Sequence, residues 1–144
     1  MQQYIDFFSN HPMLSLAWLV IAGLLIFGWF KQRLSSVAQL SPTELTLQVN
    51  RHDAVVVDIR AEADFAKGHI TDAKHLTAAD IEAEKLSGLE KKKDVPIIVV
   101  CQAGMSAQKV AATLAKQGFT KVSILQGGMG AWTSANLPIV KAKK

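Results

Sequence analysis

The chain has little cysteine, and its positive charge is confined to one part. Cys101 is the only cysteine among 144 residues, so no disulfide can form within the chain, which agrees with a reducing compartment. Every lysine and arginine lies at Lys31 or later, and Asp6 is the only ionised side chain before it. The basic clusters at 91–93 and 141–144 have no aromatic residues interleaved, which argues against nucleic-acid binding.

Charge is also absent from one long apolar segment, residues 13–30. A helix of about 20 apolar residues can cross a bilayer. The segment ends in Trp29 and Phe30, whose rings favour the membrane interface, and Lys31 and Arg33 follow. The positive-inside rule predicts a single-pass helix in a bacterial-type inner (plasma) membrane. Residues 1–12 would be a short non-cytoplasmic N-terminus, and the remainder of the chain would lie in the cytoplasm.

Two other interpretations of this segment are weaker. A cleavable signal peptide would suit Ser36-Val37-Ala38, which faintly resembles a cleavage site, but signal peptides carry positive charge before their apolar stretch. A buried helix of a soluble domain usually has a polar stripe, and no such stripe interrupts residues 13–30. A membrane anchor through these residues is therefore the favoured prediction.

The rest of the chain alternates between helix and strand patterns. We predict a connector at residues 31–40, one α/β domain at 41–140 and a basic tail at 141–144. Predicted strands lie at 54–59, 73–76, 96–101 and 121–125, with helices at 41–51, 62–67, 77–86, 106–117 and 129–134. The helix starts carry capping patterns: Ser41 precedes a proline with Glu44 three residues later, and Thr77 precedes Asp80. This order predicts a mostly parallel sheet covered on both faces.

Cys101 lies where a predicted buried strand turns into a predicted helix. A helix N-terminus presents unpaired N–H groups and partial positive charge, which favour a thiolate over a thiol. In parallel sheets ligands bind at the carboxyl ends of the strands. The competing interpretation is a buried core cysteine. The turn after Cys101 favours a nucleophile.

Four stretches resemble the signatures of the rhodanese-like (sulfurtransferase) family, in order, over residues 41–140. They are Val57-Asp58-Ile59-Arg60 with Phe65 and Gly68-His69-Ile70; Val100-Cys101-Gln102-Ala103-Gly104-Met105-Ser106; Gly118-Phe119 with Val122; and Gly127-Gly128 with Ala131-Trp132 and Leu137-Pro138. The resemblance implies a three-layer rhodanese-like domain with a central, mostly parallel sheet.

The resemblance also implies the chemistry. Cys101 would take sulfane sulfur from a small donor such as thiosulfate, or from a protein persulfide, hold it as a persulfide and pass it to a thiol acceptor. The substrate-binding loop would be Gln102, Ala103, Gly104, Met105, Ser106 and Ala107, with its amides forming an anion-binding nest. Asp58 and Arg60 would support the pocket, or simply form an ion pair at a strand end.

No cofactor or metal is predicted, because His11, His52 and His75 have no metal-ligand spacing with one another or with Cys101.

Cysteine-dependent phosphatases need an arginine six residues after the cysteine, and this chain has Ala107 at that position, which argues against phosphatase activity. Many rhodanese-like proteins have arginine where this chain has Ser106, which leaves the preferred donor open.

Two functions compete. The first is a membrane-anchored, cytoplasm-facing sulfurtransferase. The second is a membrane-tethered interaction module that binds other inner-membrane proteins and has little or no enzymatic activity. Redox sensing through Cys101 is a third possibility that would need an outside thiol, since the chain has no second cysteine.

Overall fold

The computed structural model describes residues 1–34 and 37–142, and the chain divides into two compact units, residues 1–36 and 37–144. The first unit contains helices α1 (Gln2–Asn10) and α2 (Pro12–Leu34). Pro12 opens α2 and has no N–H group, so the hydrogen-bond ladder of α1 cannot continue through it. Ser36 of the alternative cleavage site and Lys143-Lys144 of the predicted tail lie outside the described residues.

Helix α2 contains the apolar segment. Its stretch Pro12–Phe30 spans 19 residues and is long and apolar enough to cross a membrane, a test that a signal sequence near the N-terminus would also pass. Large apolar side chains such as Leu16 and Leu25 are 65% and 69% exposed. An uncovered apolar surface of this extent is unusual for a soluble domain.

The second unit is built on one parallel sheet. Its strands are β1 (Ala38–Leu40), β2 (Val55–Asp58), β3 (Lys74–His75), β4 (Ile97–Val100) and β5 (Val122–Leu125). Their spatial order is β1-β5-β4-β2-β3, and every neighbouring pair is parallel. The predicted parallel sheet is confirmed, with β4 at its centre.

The predicted connector at residues 31–40 is wrong at both ends. Helix α2 continues to Leu34, and Ala38–Leu40 forms strand β1, in which Ala38 pairs with Ser123 and Leu40 with Leu125. The strand has three residues, and Ala38 and Gln39 are exposed at the sheet edge, so it has neither the length nor the apolar pattern of a recognisable strand. Residues 38–40 are a strand because they pair with β5.

Between residues 37 and 142, six helical elements flank the sheet: α3 (Pro42–His52), α4 (Glu62–Lys67), α5 (Ala78–Glu82), a 3-10 helix (Leu89–Lys91), α6 (Met105–Lys116) and α7 (Gly128–Ser134). Both predicted capping boxes are present, at Ser41 with Glu44 and at Thr77 with Asp80. Hydrogen bonds from Ser41 hold the pKa of Glu44 below its ordinary value. Helix α5 is shorter than predicted, since Glu84 adopts a φ of 57° that a right-handed helix cannot include.

Two hydrophobic cores cover the two faces of the sheet. Alternate residues of β4 serve each face: Ile97 and Val99 pack with α5 and α6, whereas Ile98 and Val100 pack with α3 and α7. All four residues of β4 are 0% exposed. The three-layer arrangement therefore puts Cys101 at the end of the most buried strand.

Candidate active site

Cys101 occupies the turn between β4 and α6. The strand ends at Val100 and the helix begins at Met105, one residue before the predicted start. The Cys101 side chain belongs to the α5–α6 core, and the residue is 5% exposed. The backbone N–H of Gly104 donates a hydrogen bond to Cys101 Sγ over 2.9 Å. The strand, turn and helix start predicted from the sequence around this thiol are all present.

Gly104 allows the tight turn that brings its amide to the sulfur. Its φ of 92° lies in the region that favours glycine, and a Cβ built there would be 3.3 Å from the amide nitrogen of Gly127. Gly104 is also the residue before α6, a helix of 12 residues whose first four amides have no partner within the helix. Those amides and the helix dipole make this end of α6 favourable for a negatively charged sulfur.

Helix α7 holds the other side of the loop. The amides of Met129 and Gly130 donate to the carbonyl oxygens of Cys101 and Gln102, over 2.8 Å and 3.1 Å. A Cβ at Gly128 would overlap the Cys101 carbonyl oxygen and would lie 2.7 Å from the Gln102 carbonyl. The sequence singles out Gly127-Gly128 as a signature, but its pattern does not show that α7 supports the loop.

The predicted loop residues differ in exposure. Gln102, Ala103, Met105 and Ser106 are exposed, and 84% of Met105 is exposed. Ala107 is instead fully buried in the core under α6. Substrate binding by these residues stays a prediction, and Ala107 can take part only through its backbone.

Asp58 and Arg60 form a buried ion pair beside the loop. Arg60 donates to the Asp58 carboxylate from Nε over 3.0 Å and from Nη2 over 2.7 Å, and the side chains are 8% and 1% exposed. Arg60 Nη2 also donates to the Gly68 carbonyl over 2.7 Å. Asp58 pairs in register with Val100, the residue before Cys101. The pair therefore links the segment after β2 to the end of α4, next to the loop.

Two histidines of this region are held by backbone carbonyls. His69 Nδ1 donates to Phe65 O over 2.9 Å, and the two rings stack with centroids 3.9 Å apart. His75 Nε2 donates to Arg60 O over 2.7 Å. The predicted structural role of His69 agrees with these contacts.

A pocket of about 230 Å³ adjoins the loop at Gln102. Its charged lining residues are Arg60, Asp64 and Lys67, and its other walls include Met129, Thr133 and Ile139. Lys67 also approaches Asp64 at 3.6 Å on the surface. The sequence predicts Arg60 at such a pocket but not Lys67, which reaches it because α4 and α7 both line the pocket.

Comparison with known proteins identifies relatives of both parts of the chain. The family model described as Rhodanese-like domain matches residues 41–135. The uncharacterized protein YibN of Escherichia coli (strain K12) is 41% identical over 143 residues, which cover 99% of this chain and 100% of YibN. That match therefore includes the N-terminal helices. The thiosulfate sulfurtransferase GlpE of Pseudomonas fluorescens (strain SBW25) is 41% identical over 91 residues, 63% of this chain and 81% of GlpE.

A solved structure has the same fold. The rhodanese-related protein of Thermoplasma volcanium superposes with a TM-score of 0.63 at 20% identity, over 72% of this chain and 97% of that one. At this identity the likeness shows the fold alone, and the predicted three-layer architecture is confirmed.

Proposed function

Because the chain belongs to the rhodanese-like domain family, we propose that it is a membrane-anchored sulfurtransferase that carries sulfane sulfur as a persulfide on Cys101. The observation that carries this proposal is the hydrogen bond from the Gly104 amide to Cys101 Sγ at the start of α6. A sulfur held in that position has a donor and the positive end of a helix dipole next to it, and both favour a charged sulfur. Relatives named thiosulfate sulfurtransferase make thiosulfate the first donor to test.

The loading step follows from the chemistry of a thiolate. Cys101 Sγ would attack the outer sulfur of thiosulfate, forming a new S–S bond. The S–S bond of thiosulfate would break, and sulfite would leave with the electron pair. The product is a cysteine persulfide, which carries one negative charge when deprotonated. Attack by a thiol or by cyanide on the outer sulfur of that persulfide would return Cys101 to the thiolate.

The loop backbone supports both charged states of the sulfur. The carbonyl oxygens of Cys101 and Gln102, which would repel an anion, are occupied by hydrogen bonds to α7. The amides at the start of α6 have no helical partner, and they form the nest that would receive the anion. Arg60 keeps its charge paired with Asp58, so its role is to position the pocket wall rather than to bind the donor.

The anchor is the second part of the proposal. Helix α2 would cross the inner membrane once, with Lys31 and Arg33 at the cytoplasmic end. The sulfurtransferase unit would then work in the cytoplasm, where its single thiol stays reduced. The match to YibN over the whole of both chains supports the view that helix and domain belong to one protein type.

Intact mass spectrometry tests the persulfide. The full chain in detergent would be incubated with thiosulfate and measured before and after cyanide, beside Cys101→Ser. We expect wild type to gain the mass of one sulfur atom and lose it with cyanide, and the variant to gain nothing. If a folded wild-type chain takes up no sulfur from thiosulfate or from a protein persulfide, the proposal fails.

A tethered interaction module is the second candidate. The observation that favours it is Met105, which leaves 84% of its surface exposed at the mouth of the loop, where an apolar side chain suits contact with another protein. Crosslinking in membranes, wild type against Met105→Asp, would detect such a contact. This candidate predicts a crosslinked membrane protein that the variant loses, together with little sulfur uptake by either chain.

A further inference from the structure

Helix α1 separates its apolar and polar residues onto two sides. Successive residues of an α-helix are rotated by about 100°, since a turn takes 3.6 residues. Positions 4, 5, 7 and 8, which are all apolar or aromatic in sequence, therefore fall along one side of α1. Positions 2, 3, 6, 9 and 10 are polar and fall along the other. We call these the apolar side and the polar side of α1.

Two aromatic side chains of the apolar side are exposed in the structure. Tyr4 is 73% exposed and Phe8 is 46% exposed. Moving an exposed aromatic ring from water into an apolar environment is favourable by on the order of 25 cal/mol per Å² of apolar surface. This side of α1 therefore needs a cover that is apolar next to its rings and polar near its other residues.

The length of α2 decides what lies next to α1. The apolar stretch Pro12–Phe30 has 19 residues. At 1.5 Å per residue this corresponds to about 28 Å, close to the roughly 30 Å thickness of a bilayer's hydrocarbon core. Helix α1 ends at Asn10, two positions before that stretch begins. Moving the polar side of α1, with Asp6 at its middle, into hydrocarbon would cost a large transfer free energy. Helix α1 is therefore expected to lie at the level of the headgroups.

We propose that α1 lies in the headgroup region of the non-cytoplasmic leaflet, with its apolar side against the acyl chains, and so fixes the depth of α2. This inference rests on the membrane anchor of the proposed function. Tyrosine favours this boundary, because its ring is apolar and its hydroxyl stays hydrated. Since α1 contains no lysine or arginine, its binding depends on apolar contact and not on anionic lipid.

Single-cysteine labelling tests this placement in the full chain. Cys101→Ala removes the only native thiol. One cysteine at a time would then be introduced into this cysteine-free chain. The apolar side would be probed by Tyr4→Cys and Phe8→Cys, and the polar side by Gln3→Cys and Ser9→Cys. Ile21→Cys would probe the middle of α2. Each would carry the fluorophore NBD in vesicles of phosphatidylethanolamine and phosphatidylglycerol. Quenchers would be iodide on both sides of the membrane, and lipids with a nitroxide near the headgroup or near the chain end.

We expect iodide quenching at Tyr4→Cys and Phe8→Cys to be about threefold or more weaker than at Gln3→Cys and Ser9→Cys, because one side of α1 faces lipid. The headgroup-proximal nitroxide should quench the two apolar-side labels more than the deep one. Replacing phosphatidylglycerol with phosphatidylcholine should leave this pattern unchanged.

Three results would overturn the inference. Equal iodide quenching at all four α1 positions, with Ile21→Cys quenched by the deep nitroxide, would put α1 in water and leave the anchor intact. Apolar-side labels shielded from iodide and from both nitroxides would mean that protein covers α1. Iodide quenching at Ile21→Cys would remove the anchor itself, and the placement of α1 with it.

Discussion

The amide of Met129 donates a hydrogen bond to the carbonyl oxygen of Cys101 over 2.8 Å. Met129, in the last helix of the domain, thereby fixes the backbone of Cys101, the candidate nucleophile, which lies 28 positions earlier in the sequence. Met129 is itself buried, in the core on the α3–α7 face, whereas Cys101 belongs to the core on the α5–α6 face. The geometry of the loop thus depends on packing on both faces of the sheet.

Gly128→Ala should disable the loop. The added methyl would overlap the Cys101 carbonyl oxygen, and backbone atoms cannot move away without breaking the hydrogen bonds of Met129 and Gly130. We expect a loss of about 3 kcal/mol in the free energy of unfolding, from the overlap and from the left-handed backbone of Gly128, whose φ is 59°, and no measurable sulfur uptake. Urea unfolding of residues 37–144, a compact unit with its own two cores, measures the first, and mass spectrometry of the full chain the second.

The matched control for this overlap is Gly130→Ala, in the same helix. Its Cβ would be 3.5 Å from the Gln102 carbonyl oxygen, an ordinary contact. Alanine in place of a helical glycine should raise stability by up to about 1 kcal/mol. Sulfur uptake should be retained, and equal losses in the two variants would show that any side chain on α7 is harmful, whatever its contact with the loop.

Gly104→Ala should separate backbone strain from chemistry. Gly104 and Gly88 have nearly the same φ, 92° and 93°, but a Cβ at Gly88 would have no atom within 4 Å. Alanine at either position should cost about 1–2 kcal/mol of stability, because both force an L-residue into the left-handed region. Only Gly104→Ala should also slow sulfur uptake, since it moves the amide that donates to Cys101 Sγ. Equal uptake rates in the two variants would mean that this amide does not support the reaction.

Arg60→Ala should destabilise the domain strongly. It leaves the Asp58 carboxylate, which is 1% exposed, without its ion partner and frees the Gly68 carbonyl. Removing one partner of a buried pair costs about 3–5 kcal/mol. The exposed Arg51→Ala is the control, with an expected change within about 0.5 kcal/mol. Adding Asp58→Asn to Arg60→Ala should recover part of the loss, and a strictly additive loss would show that the pair is not coupled.

The capping residue Asp80 should make stability depend on pH. Hydrogen bonds from the side chain and backbone of Thr77 hold the pKa of Asp80 below its ordinary value. A lowered pKa in the folded state adds stability at pH values above the ordinary pKa, and that stability is lost as the pH falls through the folded value. Asp80→Asn should therefore reduce the free energy of unfolding at pH 7, and the difference from wild type should shrink in acid.

Urea unfolding of residues 37–144 at several pH values measures this difference. Asp94→Asn, the same change at an exposed position in the loop before β4, serves as the control and should shift stability little at any pH. If the Asp80→Asn difference stays constant down to pH 2, the carboxylate charge does not contribute to the cap.

Local signals explain which parts of this fold were predictable. The two capping boxes and the central strand β4 each lie within a few consecutive residues, and each was predicted in its correct place. Strand β1 and the contact between α7 and the loop were not predictable, because each is defined by a partner far away in sequence. Ala38–Leu40 becomes a strand through pairing with β5, and the lack of room for a side chain at Gly128 is set by the Cys101 carbonyl. The buried position of Ala107 also follows from packing, since its small side chain fits either environment.

Ser106→Arg should improve the use of thiosulfate. Ser106 is exposed in the first turn of α6, and arginine there would add a positive charge next to the loop. Attraction of a doubly charged donor should lower the KM for thiosulfate by about three- to tenfold at low salt, and less at high salt. Stability should fall by about 0.3–1 kcal/mol, because a cation at a helix N-terminus opposes the helix dipole.

Ala115→Arg provides the matched control for charge. It adds the same arginine at an exposed position near the other end of α6, where a cation agrees with the dipole. Steady-state transfer of sulfur from thiosulfate to cyanide, measured in detergent at two salt concentrations, compares the variants. The KM should change only for Ser106→Arg. If the KM is the same in both variants and in wild type, the anionic donor does not bind at the start of α6. Thiosulfate would then be excluded as the donor that this loop recognises, and a protein persulfide would be the donor to pursue.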